Sequence, residues 1–306
     1  MKQFLIKILI FVALVIGVLV AAVKLPPRNQ ILYNYEYVKK IARLDTLPSP
    51  RLVLLGGSNA AFSIDSKMLS DSLDINVVNT GLIASNGLKV MIDDALKYAR
   101  PGDVIAIFPE YTQFSNLFYG EGVGISSCMV YKGLDAVKEM DIRQLISAVE
   151  NVGCFAKSNI VASQSGPGIY SAANFDEYGD EVVHRQCPPG KYVKPIKHKM
   201  EIVPATVEYF AETVGKMKKK GATVVVLPPV ATIGHCETNK EYAAMVYNAL
   251  AAAGVPFQAA PAAYAQPDSL AYDTPYHLSA AGLHNATLAL IPILRPYIPA
   301  DKSLPH

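Results

Sequence analysis

Apolar residues fall in short unbroken runs along much of the chain, and amphipathic stretches lie between them. Leu52–Leu55, Ile75–Val78, Asp103–Phe108 beyond its aspartate, Thr223–Leu227 and Val255–Gln258 read as five strands. Runs without polar alternation belong in a parallel sheet covered on both faces. Leu88–Ala99 carries Val90, Ile92, Ala95, Leu96 and Ala99 at helical spacing and stops at Arg100-Pro-Gly102. Val207, Phe210, Val214 and Met217 repeat the helical period up to Gly221. Further helices are predicted over Tyr242–Ala253, closed by Gly254, and over Ala280–Leu290. This alternation predicts an α/β fold, a three-layer α/β/α sandwich on a five-stranded, mostly parallel sheet.

Three stretches stand outside that rhythm. Residues 1–24 hold an apolar run from Phe4 to Val23, with Lys2 and Lys7 at its start. About 20 apolar residues span a bilayer as a helix, so the run reads as a transmembrane signal anchor. A cleaved signal peptide is the competing reading, but its apolar region is about 7–15 residues long, shorter than this one. On either reading the rest of the chain is expected to be extracytoplasmic. Residues 25–50 form a linker and stem: Pro26-Pro27 break the helix, Leu32–Leu47 look helical, and Pro48-Ser-Pro50 punctuate the start of the globular domain, residues 51–306. Residues 112–205 show no strand–helix alternation. They read as an insertion after the third strand, placed either to roof a site at the carboxyl end of the sheet or to act as a subdomain pinned by disulfides.

Composition narrows the function. With 51% hydrophobic and 18% charged residues, the chain can bury a core and is not disordered. A net charge of +2 with no basic patch argues against nucleic acid. Its longest basic run, Lys218-Lys-Lys220, falls in the last turn of a predicted helix, where cations complement the helix dipole. The spacing of Cys128, Cys154, Cys187 and Cys236 matches no zinc pattern, and outside the cytoplasm they could form two disulfides with three connectivities. His235-Cys236 lacks a partner cluster, so neither a metal nor a cofactor is expected. His184 is placed in the insertion.

Candidate chemistry centres on Arg51-Leu-Val-Leu-Leu-Gly-Gly-Ser58. This strand–turn–serine puts a hydroxyl at the carboxyl end of a strand, where open α/β sheets place their sites. Near the end of the chain, Tyr272-Asp-Thr-Pro-Tyr-His-Leu-Ser279 supplies Asp273 and His277. Ser58, His277 and Asp273 together complete a nucleophile–base–carboxylate set. A phosphate- or nucleotide-binding reading is weaker, because the Gly56-Gly57-Ser58 loop has neither a P-loop lysine nor a Gly-x-Gly-x-x-Gly fingerprint.

These motifs resemble the SGNH (GDSL-like) hydrolase superfamily over roughly residues 50–111 and 206–290. In that family the serine follows the first strand in a Gly-Asp-Ser block; here the block is Gly56-Gly57-Ser58-Asn59, with glycine in place of the aspartate. The family's second block, whose backbone N–H binds an oxyanion, corresponds to Asn79-Thr-Gly81-Leu-Ile-Ala84, with Gly81 or Ala84 as donor. Its third block corresponds to Phe108-Pro-Glu110-Tyr111, with Glu110 where the family has an asparagine donor. An ionised carboxylate only accepts hydrogen bonds, and losing one oxyanion donor costs about 3 kcal/mol of transition-state stabilisation. Asn59 and Glu110 are thus set with Gly81 and Ala84 as oxyanion- or substrate-facing residues. Three residues separate Asp273 from His277, where the family usually has two.

Leu-Gly-Gly-Ser-Asn, the Pro-Gly-Asp-Val strand ending in Glu-Tyr, Asn174-Phe-Asp-Glu-Tyr-Gly-Asp180 and the Asp273–His277 block with Gly282 look like membrane-anchored bacterial members. More distant relatives are the SGNH components of alginate acetylation and of teichoic-acid D-alanylation. The resemblance implies a serine esterase or O-acyltransferase acting on an acylated envelope or secreted glycan or a small ester, with a membrane acyltransferase as a possible partner. The other expectation is a non-catalytic module that binds glycan or assists an acyltransferase.

Overall fold

The computed structural model describes residues 2–24, 32–162, 168–191 and 193–300. In chain order its elements are α1 (Lys2–Lys24), α2 (Glu36–Thr46), β1 (Arg51–Gly56), α3 (Ser58–Ser63), α4 (Ser66–Leu73), β2 (Asn76–Asn79), α5 (Leu88–Tyr98) and β3 (Val104–Phe108). The expected insertion follows, with helices in its first half, α6 (Gly122–Lys132), α7 (Ala136–Glu139), α8 (Ile142–Glu150) and α9 (Val152–Ala162), and no α-helix among the described residues between Ala162 and Pro204. The chain then returns through α10 (Pro204–Lys219), β4 (Thr223–Val226), α11 (Ile233–Thr238), α12 (Lys240–Ala252) and α13 (Ala280–Leu294).

The sheet has four strands in the order β2-β1-β3-β4, all parallel, not five. The expected fifth strand, residues 255–258, is not formed. Pro256 has no N–H to give to a ladder, and the segment meets the sheet edge through one bond, from Gln258 N–H to the Val226 carbonyl. Side chains alternate between two faces, as strands require. Val53, Leu55, Ile105, Ile107 and Val226 pack against α5, α10 and α12. Leu52, Leu54, Val104, Ala106, Phe108 and Val225 pack against α3, α4 and α13. The sheet is thus the middle layer of three.

Strand order places the site. From β1 the chain crosses to β2 on one side of it, whereas β3 and β4 lie on the other. Connections therefore diverge between β1 and β3, and ligand crevices of open α/β sheets form at the carboxyl ends of such strands. Ser58 follows β1 and Glu110 follows β3, so they flank that crevice.

The stem belongs to the core. Leu44 packs in the sheet–helix cluster, and Tyr33 and Tyr37 join Phe62, Leu82, Ile125, Met140 and Ala148 in a third cluster that fastens the insertion to α3. Arg51, at the start of β1, is fully buried with Asp103, 3.2 Å away. Its guanidinium also donates to the carbonyls of Leu47 and Tyr98, both at 2.8 Å. Lys40 is buried, donates to the carbonyls of Asn79 and Gly179, and is held down to about 8 by desolvation.

Two expectations are not met. Among the described residues no helix is long and apolar enough to cross a membrane. The expected span at residues 1–24 does form the continuous helix α1, which carries Lys2 and Lys7 in its first two turns, is exposed from Phe4 to Val18 and packs against α9. The four cysteines are free thiols rather than two disulfides, Cys128, Cys154 and Cys236 on α6, α9 and α11 and Cys187 in the connection before α10. The Pro26-Pro27 break lies outside the described residues.

Candidate active site

Gly57 turns the chain from β1 into α3, and Ser58 is the first helical residue, half-buried. A Cβ at position 57 would sit 2.5 Å from Glu110 Oε1 and 3.2 Å from Ala84 Cβ. Only glycine lets the Glu110 carboxyl and Ala84 approach the backbone beside Ser58. The carboxyl of Glu110, just after β3, fills the space that a side chain at 57 would take.

Glu110 is buried, and Asn59 Nδ2 donates to its Oε1 at 3.3 Å and to the Phe108 carbonyl at 3.3 Å. Desolvation pushes the Glu110 carboxyl up to about 7, against the opposing effect of the Asn59 bond. Close to neutrality this group is divided between an acceptor-only carboxylate and a neutral acid with a hydrogen to donate. Asn59 Oδ1 is buried and has no partner among the described residues.

Asp273 and His277 meet across the three residues between them. His277 N–H donates to the Thr274 carbonyl and Tyr272 N–H to the His277 carbonyl, closing a compact loop. Inside it, His277 Nδ1 lies 2.7 Å from Asp273 Oδ1. Burial acts to raise the Asp273 carboxyl, but the hydrogen bond and electrostatic attraction of His277, with a smaller share from the Tyr170 hydrogen bond, outweigh it and hold the group below the usual range. His277 itself is only 4% exposed.

The loop is bolted to α3. Ser63 Oγ donates to the Tyr276 carbonyl at 2.8 Å and accepts from the Leu278 N–H at 2.9 Å, so one hydroxyl grips both neighbours of His277. The imidazole stacks on Phe62, one helical turn beyond Ser58. Among the described residues no hydrogen bond joins Ser58 to His277, and His277 Nε2 makes none. Catalytic hydrogen bonds are often long before a substrate is bound.

The loop from Asn79 to Ala84 divides its two candidate donors. Gly81 N–H donates to Asn79 Oδ1 at 2.9 Å and is committed there. Ala84, by contrast, faces Gly57. Asn79 also donates to Asp180 Oδ1, and Asp180 accepts from Ser66 and Arg185, so the Asn174–Asp180 stretch fastens the insertion to the end of β2.

His184 lies against Phe62 on the ring that also carries His277, held by Glu181 and the Leu278 carbonyl. His235 packs against Tyr276 and His198. Among the described residues no three His, Cys, Asp or Glu side chains are grouped to hold a metal ion. A cavity of about 170 Å³ opens beside Tyr37 and Tyr131, away from Ser58, and its Asp94, Lys132 and Glu139 are already paired.

Sequence reasoning missed Phe62, Ser63 and Tyr170. Phe62 and Ser63 read as ordinary helix residues, and Tyr170 sits in a stretch without periodicity. Comparison of the chain with protein-family models, with curated proteins and with solved structures finds no match.

Proposed function

We propose that the chain is a membrane-associated, extracytoplasmic serine esterase or O-acyltransferase of SGNH type, acting on an acylated envelope or secreted glycan. The observation that carries this reading is the Asp273–His277 pair, laid by Phe62 and Ser63 on the helix that Ser58 begins. His277 Nε2 takes the proton from Ser58 Oγ as the oxygen attacks the ester carbonyl. Asp273 holds the other ring nitrogen and stabilises the imidazolium. The backbone N–H groups of Ser58 and Ala84 bind the oxyanion, since that of Gly81 is occupied. His277 returns the proton to the leaving alcohol. Water or a sugar hydroxyl then takes the acyl group from Ser58. The neutral form of Glu110 adds a donor beside Ala84, and the ionised form opposes the oxyanion. The outward apolar side chains of α1 support membrane association.

A second reading, a glycan-binding or acyltransferase-accessory module, is favoured by one observation: Ser58 and His277 are not hydrogen-bonded. The full chain, purified in detergent, tests both with a fluorophosphonate probe and p-nitrophenyl acetate beside Ser58→Ala. Labelling and turnover that vanish in the variant support the enzyme. A wild-type chain that neither labels nor turns over, or a variant as active as wild type, overturns it.

A further inference from the structure

Tyr170 belongs to the insertion, 103 residues before the carboxylate it touches. Its phenol donates to Asp273 Oδ2 at 2.5 Å and lies 3.4 Å from His277 Nδ1. The ring leans on Tyr33 and Phe62, each 5.6 Å away between centroids. The backbone beside it is built rather than loose: Asn174 Nδ2 donates to the Gly168 and Ile169 carbonyls, and Ser171 pairs with Leu32 in an isolated bridge.

We propose that Tyr170 is a positioning residue for the reaction, holding one oxygen of Asp273 so that the other is presented to His277. The proposal rests on the esterase or acyltransferase reading given above. A carboxylate has two acceptor oxygens, and a partner on each fixes its plane. The Asp273 side chain is 32% exposed, so without the phenol water competes for Oδ2 and the carboxylate turns. The phenol also stabilises the ionised carboxylate that the imidazolium needs, since hydrogen bonds to a charged form favour it. The ionisable groups facing Asp273 are His277 and Tyr272 from its own loop, Tyr170 from the insertion and Tyr33 from the stem. Glu181 is a second carboxylate whose charge reaches Tyr170. The insertion thus completes the site instead of only covering it.

Tyr170→Phe keeps the ring and removes the hydroxyl. Two measurements on the full chain test it: the pH profile of p-nitrophenyl acetate turnover, and the downfield proton resonance of His277 Nδ1–H, recorded without substrate. Loss of a hydrogen bond to a charged group predicts a fall in kcat of about tenfold with KM little changed. The resonance collapses at higher pH, because Asp273 then takes its proton at higher pH, and the acid limb of the profile shifts because the charge that Asp273 presents to the imidazolium has changed. Tyr170→Leu, which also removes the packing, falls further and loses thermal stability. A Tyr170→Phe variant with wild-type kcat, acid limb and resonance overturns the proposal while leaving the enzyme reading intact. A wild-type chain without serine labelling overturns the enzyme reading and the proposal with it, even where the resonance shifts.

Discussion

The imidazole of His277 lies flat on the ring of Phe62, with 4.1 Å between centroids and 15° between planes. Phe62 and Ser58 share α3, so the distance from base to nucleophile is set within one short helix. A plate beneath the imidazole limits its tilt, and a misplacement of about 1 Å can cost on the order of a hundredfold in rate. Phe62→Leu keeps an apolar side chain but removes the flat surface. We expect kcat for p-nitrophenyl acetate to fall about tenfold or more with KM nearly unchanged, by the same argument from placement. Unchanged steady-state kinetics in a variant that retains its circular dichroism would show that the stacking does not position the base.

Glu110 gives the site a pH dependence of its own. Its carboxyl is raised from the ordinary value to about 7 by burial, so the folded chain binds a proton that the unfolded chain releases. The sign follows from that. Its contribution to stability is complete below the unfolded value and is lost as pH rises through about 7. Thermal melts of the wild type should therefore fall between pH 5 and pH 8 by an amount that Glu110→Gln lacks. Turnover should show an alkaline limb in the same range, because the neutral acid donates to the oxyanion and the ionised form repels it. Glu110→Gln, which keeps a donor at every pH, should flatten that limb. A limb that persists in the variant assigns it to another group.

At the opposite end of the sheet, Arg51 and Asp103 form a fully buried ion pair between the starts of β1 and β3. Removing one partner of such a pair strands the other charge in the interior. Asp103→Ala is expected to lose about 3–5 kcal/mol of stability. Chemical denaturation at pH 7 measures this. A loss below about 1 kcal/mol, the range of an exposed pair, would mean that water reaches the guanidinium.

The sheet was legible where burial leaves a mark in the residues themselves. Leu52–Leu55 and Val104–Phe108 are central parallel strands, covered on both faces, and so are apolar at every position. Residues 255–258 read as a strand from Val255 and Phe257 alone, but Pro256 and Gln258 are exposed and no ladder forms. The insertion was hidden for a different reason. In α8, Ile142, Ile146 and Val149 are exposed, so its helical period does not point at the core. Ser58, Asp273 and His277 stood out as candidates because each sits in a local pattern, a strand–turn–helix or a four-residue interval. Ser63 and Tyr170 did not. Their partners are 213 and 103 residues away in sequence, and no local pattern encodes a contact made only by folding.

The single hydroxyl of Ser63, gripping the chain on either side of His277, has a consequence for how such a protein can change. Ser58 begins α3, and His277 is fastened to the same short helix through Phe62 and Ser63. The carboxylate that tunes the base answers to a different part of the chain, through Tyr170. Substitutions in the insertion can therefore alter the electrostatic setting of the site, and the surface presented to an acceptor, while the spacing for attack stays as it is. Divergence in that region would retune the Asp273–His277 pair while the anchorage of His277 on α3 stayed as it is.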